Sequence, residues 1–202
     1  MAERAEHRAR TRAVRTRLWT RADLARLPDD GNRYEVLDGA LLVTPQAAFG
    51  HQEVVMRLLV PLRAYCERHG IGVVVGPGAV PQGTSELQPD IQVIPGPVAL
   101  DANWAELPLP LLVVEVLSDS TRVRDLGVKR DAYLRWGIPA YWVVDPVARS
   151  VLTVRAGADA PVEHGDVLRW TPREGMAPFE CEVAALFARI TAPARRPIPG
   201  PP

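Results

Sequence analysis

The sequence predicts a mixed α/β domain, with a central β-sheet flanked by helices, and three observations predict it. Residues 51–69 carry Val54, Val55, Leu58, Leu59, Leu62 and Tyr65 at helical spacing, the pattern of a helix with one face on a core. Apolar runs at 71–75, 91–94, 111–117 and 140–144 have the length and composition of buried strands. The helical stretches alternate with these runs, which places helices against a sheet. At 202 residues the chain is long enough for one domain with its own core.

Residues 1–17 read as a basic arm without fixed structure, 18–190 as the single domain, and 191–202, a Pro-rich stretch, as a second disordered end. Thr20 is placed to cap a short helix over 21–27, ended by Pro28. Residues 33–37 and 40–44 form a hairpin around Asp38-Gly39. The long helix closes at Gly70, and Pro61 inside it predicts a kink. Residues 79–82 are short and extended. The Gly-rich stretch at 76–83 lacks the Lys-Ser/Thr of a phosphate-binding loop and reads as turns. Ser118 to Thr121 offer caps for a helix running to about Trp136, ended by Gly137 and Pro139. Short strands near 151–155, 162, 168–170 and 179–183 add an antiparallel β meander, and 184–188 a last helical turn.

Charge narrows the function classes. The net charge is zero, but residues 1–17 sum to +4 and 189–202 to +3, which leaves −7 on the part expected to fold. An acidic body counts against a broad basic nucleic-acid surface, though not against a local basic rim or basic arms. Cys66 and Cys181 stand far apart and outside any CxxC pattern, so neither zinc nor a disulfide framework is indicated. There is no apolar run long enough for a membrane helix, and the N-terminal stretch lacks the apolar segment of a secretory signal. A cytoplasmic location and no membrane partner are expected. Of 24 basic residues 23 are arginine; the exception is Lys129. A single lysine in such a chain is a candidate for a compact point charge that arginine cannot supply.

The carboxylates at strand positions point to chemistry. Glu115 interrupts an apolar strand, where an ionised group is costly without a partner charge or metal. Asp90, after Pro89, heads the preceding strand, and the loop between allows the two to lie side by side. Paired carboxylates repel unless a cation sits between them or one is protonated. Oxygen ligands without a Cys or His cluster suit Mg²⁺ or Mn²⁺. On the next helix Asp125, Lys129 and Tyr133 share a face at i, i+4 and i+8. This makes either a weak exposed Asp-Lys pair or a lysine returned to the carboxylates.

Taken together, Tyr34-Glu35, Asp38-Gly39, His51, Pro89-Asp90, Glu115 to Ser118, Ser120-Thr121, Asp125, Lys129, Tyr133 and Tyr141 to Pro146 resemble the Uma2 (DUF820) branch of the PD-(D/E)xK nucleases. The resemblance spans about residues 20–155. It implies a restriction-endonuclease-like fold and a metal-dependent endonuclease acting on nucleic acid, DNA first, as a homodimer. It assigns Asp90, Glu115 and Glu35 to the metal and Lys129 to the nucleophile. The lysine of the broad signature would fall at 117, which is Leu117; in this branch its role passes to Lys129. His51 either borders the site or caps and packs the helix, and Gln92 shares the Asp90 face as an outer candidate. The alternative is a silent nuclease fold kept as a nucleic-acid or protein interaction module; a hydrolase of small phosphate compounds is a third reading.

Overall fold

The computed structural model describes residues 17–158 and 160–190. The basic arm, apart from Arg17, and the Pro-rich tail lie outside the described residues. A short helix α1 (Arg21–Leu24) leads into hairpin β1 (Arg33–Leu37) and β2 (Ala40–Thr44), then helix α2 (Phe49–Arg68). Next come strands β3 (Gly72–Val75), β4 (Val80–Gln82), β5 (Ser85–Leu87) and β6 (Ile91–Pro95). After a 3₁₀ turn at Trp104–Glu106 stand β7 (Leu112–Val116) and helix α3 (122–135). Strands β8 (Ala140–Asp145), β9 (Ser150–Arg155), β10 (Val162–His164), β11 (Val167–Trp170) and β12 (Phe179–Glu182) complete the sheets, and α4 (Val183–Leu186) is a single turn.

Six strands form the main sheet in the order β10-β9-β8-β7-β6-β3. Only β7 and β8 are parallel, joined by the α3 crossover; the other neighbours are antiparallel. A second sheet, β2-β1-β5-β4, joins the expected hairpin to the extended stretch near 79–82 through β5, whose three residues carry no readable pattern. The β1-β2 turn holds Asp38 at φ 49° and Gly39 at φ 85°, the two left-handed residues of a tight hairpin.

The two faces of the main sheet are packed differently. Leu112, Val114, Val116, Ile91, Val93, Trp142 and Val144 meet α2 and the β11-β12 ribbon in one apolar cluster. Val113, Leu117, Tyr141 and Val143 meet Leu37, Leu87 and the α3 residues Ala132 and Tyr133 in the other. Strand alternation therefore turns Glu115 toward the second layer, between the main sheet and the β1-α3 layer.

Several boundaries depart from expectation. α1 ends at Leu24, and hydrogen-bonded turns at Arg26 and Leu27 carry the chain to Pro28. α2 starts two residues early and continues through Pro61. The antiparallel additions come as two pieces: β9 and β10 extend the main sheet, while β11 and β12 pair only with each other. α3 is not uniform, because a π-helical stretch, Asp125–Lys129, separates two α-helical ones. Such wide turns recur at functional sites.

Candidate active site

Strands β6 and β7 run antiparallel with Ile91 opposite Val114 and Gln92 opposite Val113. The same register sets Asp90 opposite Glu115. Alternation points both to the same face, away from Ile91 and Val93, which belong to the α2 side. From the facing layer β1 brings Glu35, and α3 brings Asp125 and Lys129. All five residues are at most 2 % exposed.

The Lys129 ammonium is the hub of the inner part. Its Nζ donates to Glu115 Oε1 at 2.8 Å and lies 2.9 Å from Glu35 Oε1, with Asp125 Oδ1 at 3.8 Å. The Tyr133 hydroxyl donates to the same Glu115 oxygen at 3.2 Å. Glu35 Oε1 also accepts the Gln88 N–H at 2.7 Å, which fixes the carboxylate from β5's end of the second sheet. Tyr141 donates from β8 to the Asp125 carbonyl at 2.8 Å, holding the π turn against the sheet.

Asp90 forms the outer part. Its Oδ1 accepts Arg33 Nη1 at 2.9 Å; its Oδ2 accepts the Val116 N–H at 2.9 Å and contacts His51 Nε2 at 3.1 Å. His51 comes from the first turn of α2, and Arg33 from β1. Among the described residues, the buried side-chain nitrogens without a hydrogen-bond partner are Arg33 Nε and His51 Nδ1. Both belong to this clamp, so the unsatisfied polar capacity of the fold is concentrated here.

The two carboxylates are tuned in opposite directions. Burial pushes the Asp90 carboxyl up, but the hydrogen bond and charge of His51, the Arg33 guanidinium and the Val116 N–H together pull it down to about 2. Burial pushes Glu115 well above the usual carboxylate range; Lys129 opposes this, and Asp125, Asp90 and Glu35 add to it. Asp125 is raised by burial as well, against the pull of Lys129. Burial lowers Lys129, but the charges of Glu115, Glu35 and Asp125 outweigh it, so the ammonium is held. Arg33 is raised in the same way, against burial, by Asp90, Glu115 and Glu35.

Among the described residues no three Asp, Glu, His or Cys groups converge to enclose an ion. The donor set nevertheless fits a hard divalent cation. Glu35, Asp90, Glu115 and Asp125 face two fixed cations, Arg33 and Lys129. The four carboxylates thus outnumber the two fixed cations in a buried setting, and burial and mutual repulsion push Glu115 and Asp125 up, a cost that one Mg²⁺ or Mn²⁺ would relieve. Such ions are commonly held by one or two carboxylates together with water and substrate phosphate, rather than by a closed protein cage.

A cavity of about 470 Å³ opens on Asp90, Arg33 and His51, with the Ser118 to Thr121 turn along one side. Of the residues expected from sequence, Glu35, Asp90, Glu115 and Lys129 are brought together and His51 touches Asp90. Gln92 is directed elsewhere: its Nε2 donates to the Gly78 carbonyl at 3.0 Å, beside a small separate cavity near Trp104. Arg33 is a site residue that the sequence reading did not single out. It stands two residues before Glu35, and strand periodicity alone puts both on one face of β1, so the signal was present. Tyr133, read as a helix-face neighbour of Lys129, is both buried in the apolar cluster and bonded to Glu115.

The sequence matches the family model for Uma2, described as "Putative restriction endonuclease", over residues 21–183. No curated protein matches. Among solved structures, a "putative nuclease belonging to DUF820" from Anabaena variabilis ATCC 29413 superposes with a TM-score of 0.67 at 15 % identity. The alignment covers 83 % of this chain and 97 % of the other, so the fold is shared over nearly the whole of that protein. With fold and sequence match in agreement, the chain belongs to the Uma2 family and has its restriction-endonuclease-like fold.

Proposed function

We propose that this chain is a Mg²⁺- or Mn²⁺-dependent endonuclease that hydrolyses phosphodiester bonds in DNA, with Asp90 and Glu115 as the metal-binding carboxylates. Family membership supports nuclease function. The observation that carries the metal reading is a buried cluster in which four carboxylates face only two fixed cations and which opens through Asp90 onto a cleft. When bound, the ion would polarise the scissile phosphate and make its water acidic.

The chain's own residues do the rest. Arg33 and His51 keep Asp90 ionised and oriented at the cleft, and Arg33, which lines that cleft, is the cation nearest a phosphate placed there. Glu35 fixes Lys129, and Lys129 keeps a positive charge against Glu115. Held by three carboxylates, the ammonium is suited to steadying developing negative charge rather than to accepting a proton. Cutting both strands of a duplex calls for two such sites, which a homodimer would supply. Among the described residues no helix is long and apolar enough to cross a membrane; a cytoplasmic location is part of the proposal.

The test is incubation of the purified protein with plasmid, single-stranded DNA and RNA in Mg²⁺ or Mn²⁺, beside Asp90→Ala and Glu115→Ala. Each variant should lose at least about a thousandfold in rate, the scale of removing a main electrostatic element. Cleavage that survives both changes overturns the metal assignment. Nucleic-acid binding without cleavage in any substrate would favour a silent interaction module. The closed hydrogen-bond set on Asp90 gives that reading some support. Light scattering across a concentration series tests the dimer.

A further inference from the structure

A second cavity, of about 420 Å³, adjoins the cleft on the far side of His51. The two share Ala48, His51, Ser118 and Asp119 as a common wall. Beyond that wall the lining turns apolar, with Leu117, Val147, Phe187 and Ile190. Two arginines stand around it. Arg122 is tied to Asp145 at 2.7 Å. Arg149 has no carboxylate partner among the described residues; its guanidinium lies 5.4 Å from the Phe187 ring centroid and donates to the carbonyls of Phe187 and Ile190. Arg149 also sits at φ 55°, a backbone conformation that Gly or Asn adopts more easily. A left-handed backbone carrying a long cationic side chain at a cavity is a pointer to use.

An apolar pocket of nucleotide-binding size, flanked by guanidinium groups and continuous with a carboxylate cleft, has a specific chemical complement. Its walls suit the flat, weakly polar face of a nucleobase, and its arginines suit the phosphate attached to it. A base still stacked and paired in a duplex cannot enter a side pocket; an unpaired one can. We propose that this pocket receives the base of an unpaired nucleotide flanking the scissile phosphate, which makes single-stranded or locally unpaired strands the substrate class. Two carboxylates line the pocket, Asp145, which Arg122 already pairs, and the exposed Asp119 on the common wall, so Arg149 is the cation left to face that phosphate. The proposal rests on the nuclease reading for the role of the cleft, but not for the binding event itself.

The experiment therefore measures binding first. The full chain, in EDTA, is titrated against a labelled single-stranded oligonucleotide, the same strand with abasic sites, and its duplex. The variants are Gly50→Leu and Arg149→Gly. A Cβ at Gly50 would meet only Ile190 Cγ2, at 3.8 Å, so leucine there fills the pocket without displacing backbone. Gly at 149 suits the left-handed turn. The intact protein should bind the base-bearing strand about tenfold tighter than the abasic one. Gly50→Leu should abolish that difference while leaving abasic and duplex affinity unchanged. Arg149→Gly should weaken every phosphate-bearing ligand. Equal affinity for base-bearing and abasic strands, or a Gly50→Leu variant that binds as the parent does, overturns the pocket. A Gly50→Leu variant that binds more tightly overturns it too, and points to the chain's own C-terminal segment as occupant. Cleavage with Mg²⁺ or Mn²⁺ is scored separately: loss only in Asp90→Ala and Glu115→Ala concerns the nuclease reading, and a changed preference among the three ligands concerns the pocket.

Discussion

Asp90 and Glu115 lie across one strand pair, yet their surroundings work in opposite senses. Asp90 has an arginine, a histidine and a backbone N–H, stands at a cleft, and its carboxyl is drawn down to about 2. Glu115 is deeper, shares one ammonium with Glu35 and Asp125, and is pushed up. A site designed only for stability would balance each carboxylate separately. Here one is kept ionised at the wall of the cleft while the other is left short of positive charge. That difference is what a cation binding between them would cancel, and substitutions on either side of it should have opposite consequences.

The largest effect should come from removing the hub. Lys129→Met strands Glu35, Glu115 and Asp125 in a buried layer without their cation. Stability should fall by about 3–5 kcal/mol, the scale of breaking a buried ion pair from one side. Denaturant unfolding checks this. Lys129→Met combined with Glu115→Gln should recover part of the loss, because one of the stranded charges is gone; a double variant no better than the single would mean that the loss is one of packing.

The next concerns the clamp. Asp90 has a folded pKa of about 2 against an ordinary 3.8. A depressed carboxylate stabilises above its unfolded value and loses that contribution as pH falls through the folded value. The window is therefore about pH 4 down to pH 2, and the amount about 2 kcal/mol. Arg33→Met should remove part of it at neutral pH and move the acid unfolding midpoint upward. An unchanged midpoint would show that His51 and Val116 suffice to hold Asp90.

Glu115 should behave with the opposite sign. Its folded pKa is raised above 4.5, so the native state holds a proton that the unfolded chain releases. Its contribution is fully present below about pH 4.5 and declines as pH rises. Glu115→Gln should therefore be more stable than the parent at pH 8, with the gap closing toward pH 4.5, while on the proposed function it should lose cleavage. Thermal melts across that range in EDTA measure it, and a gap that grows toward acid contradicts the overcharged cluster.

How much of this is legible in the sequence depends on the length of the element carrying it. The α2 helix, the apolar strands β6, β7 and β8, and the β1-β2 hairpin have patterns long enough to read. The convergence of Asp90 with Glu115 is a consequence of strand adjacency. β4 is readable only as a short extended stretch and β5, three residues long, has no period to detect, so the pairing that builds the second sheet and the placement of Glu35 by Gln88 stay invisible. The inward turn of Lys129 is undecidable from i, i+4 spacing alone. That spacing assumes an α-helix, and Asp125–Lys129 is a π turn, whose wider winding changes the phase of the later helical residues. Arg33 is readable in principle, since it shares a strand face with Glu35. A lone arginine in a chain with 23 of them carries little signal, however, until its carboxylate partner is known.

The smallest effect separates a site residue from a neighbour in the pattern. Gln92 has the same strand face as Asp90 by alternation, which made it an outer candidate. Its amide instead donates to the Gly78 carbonyl in the turn between β3 and β4, on the side of the sheet edge where Trp104 packs over Gly78. Gln92→Leu would keep the volume, remove the donor and leave that carbonyl without its side-chain partner. The cost should be about 1 kcal/mol of stability. Cleavage rate and metal dependence should stay within about twofold of the parent, the scale of a change of a few tenths of a kcal/mol, since neither Asp90 nor its three hydrogen-bond donors touch the amide. A large loss of activity at unchanged stability would instead bring Gln92 into the site. It would mean that the β6 strand positions Asp90 through the turn at Gly78 as well as through Arg33 and His51.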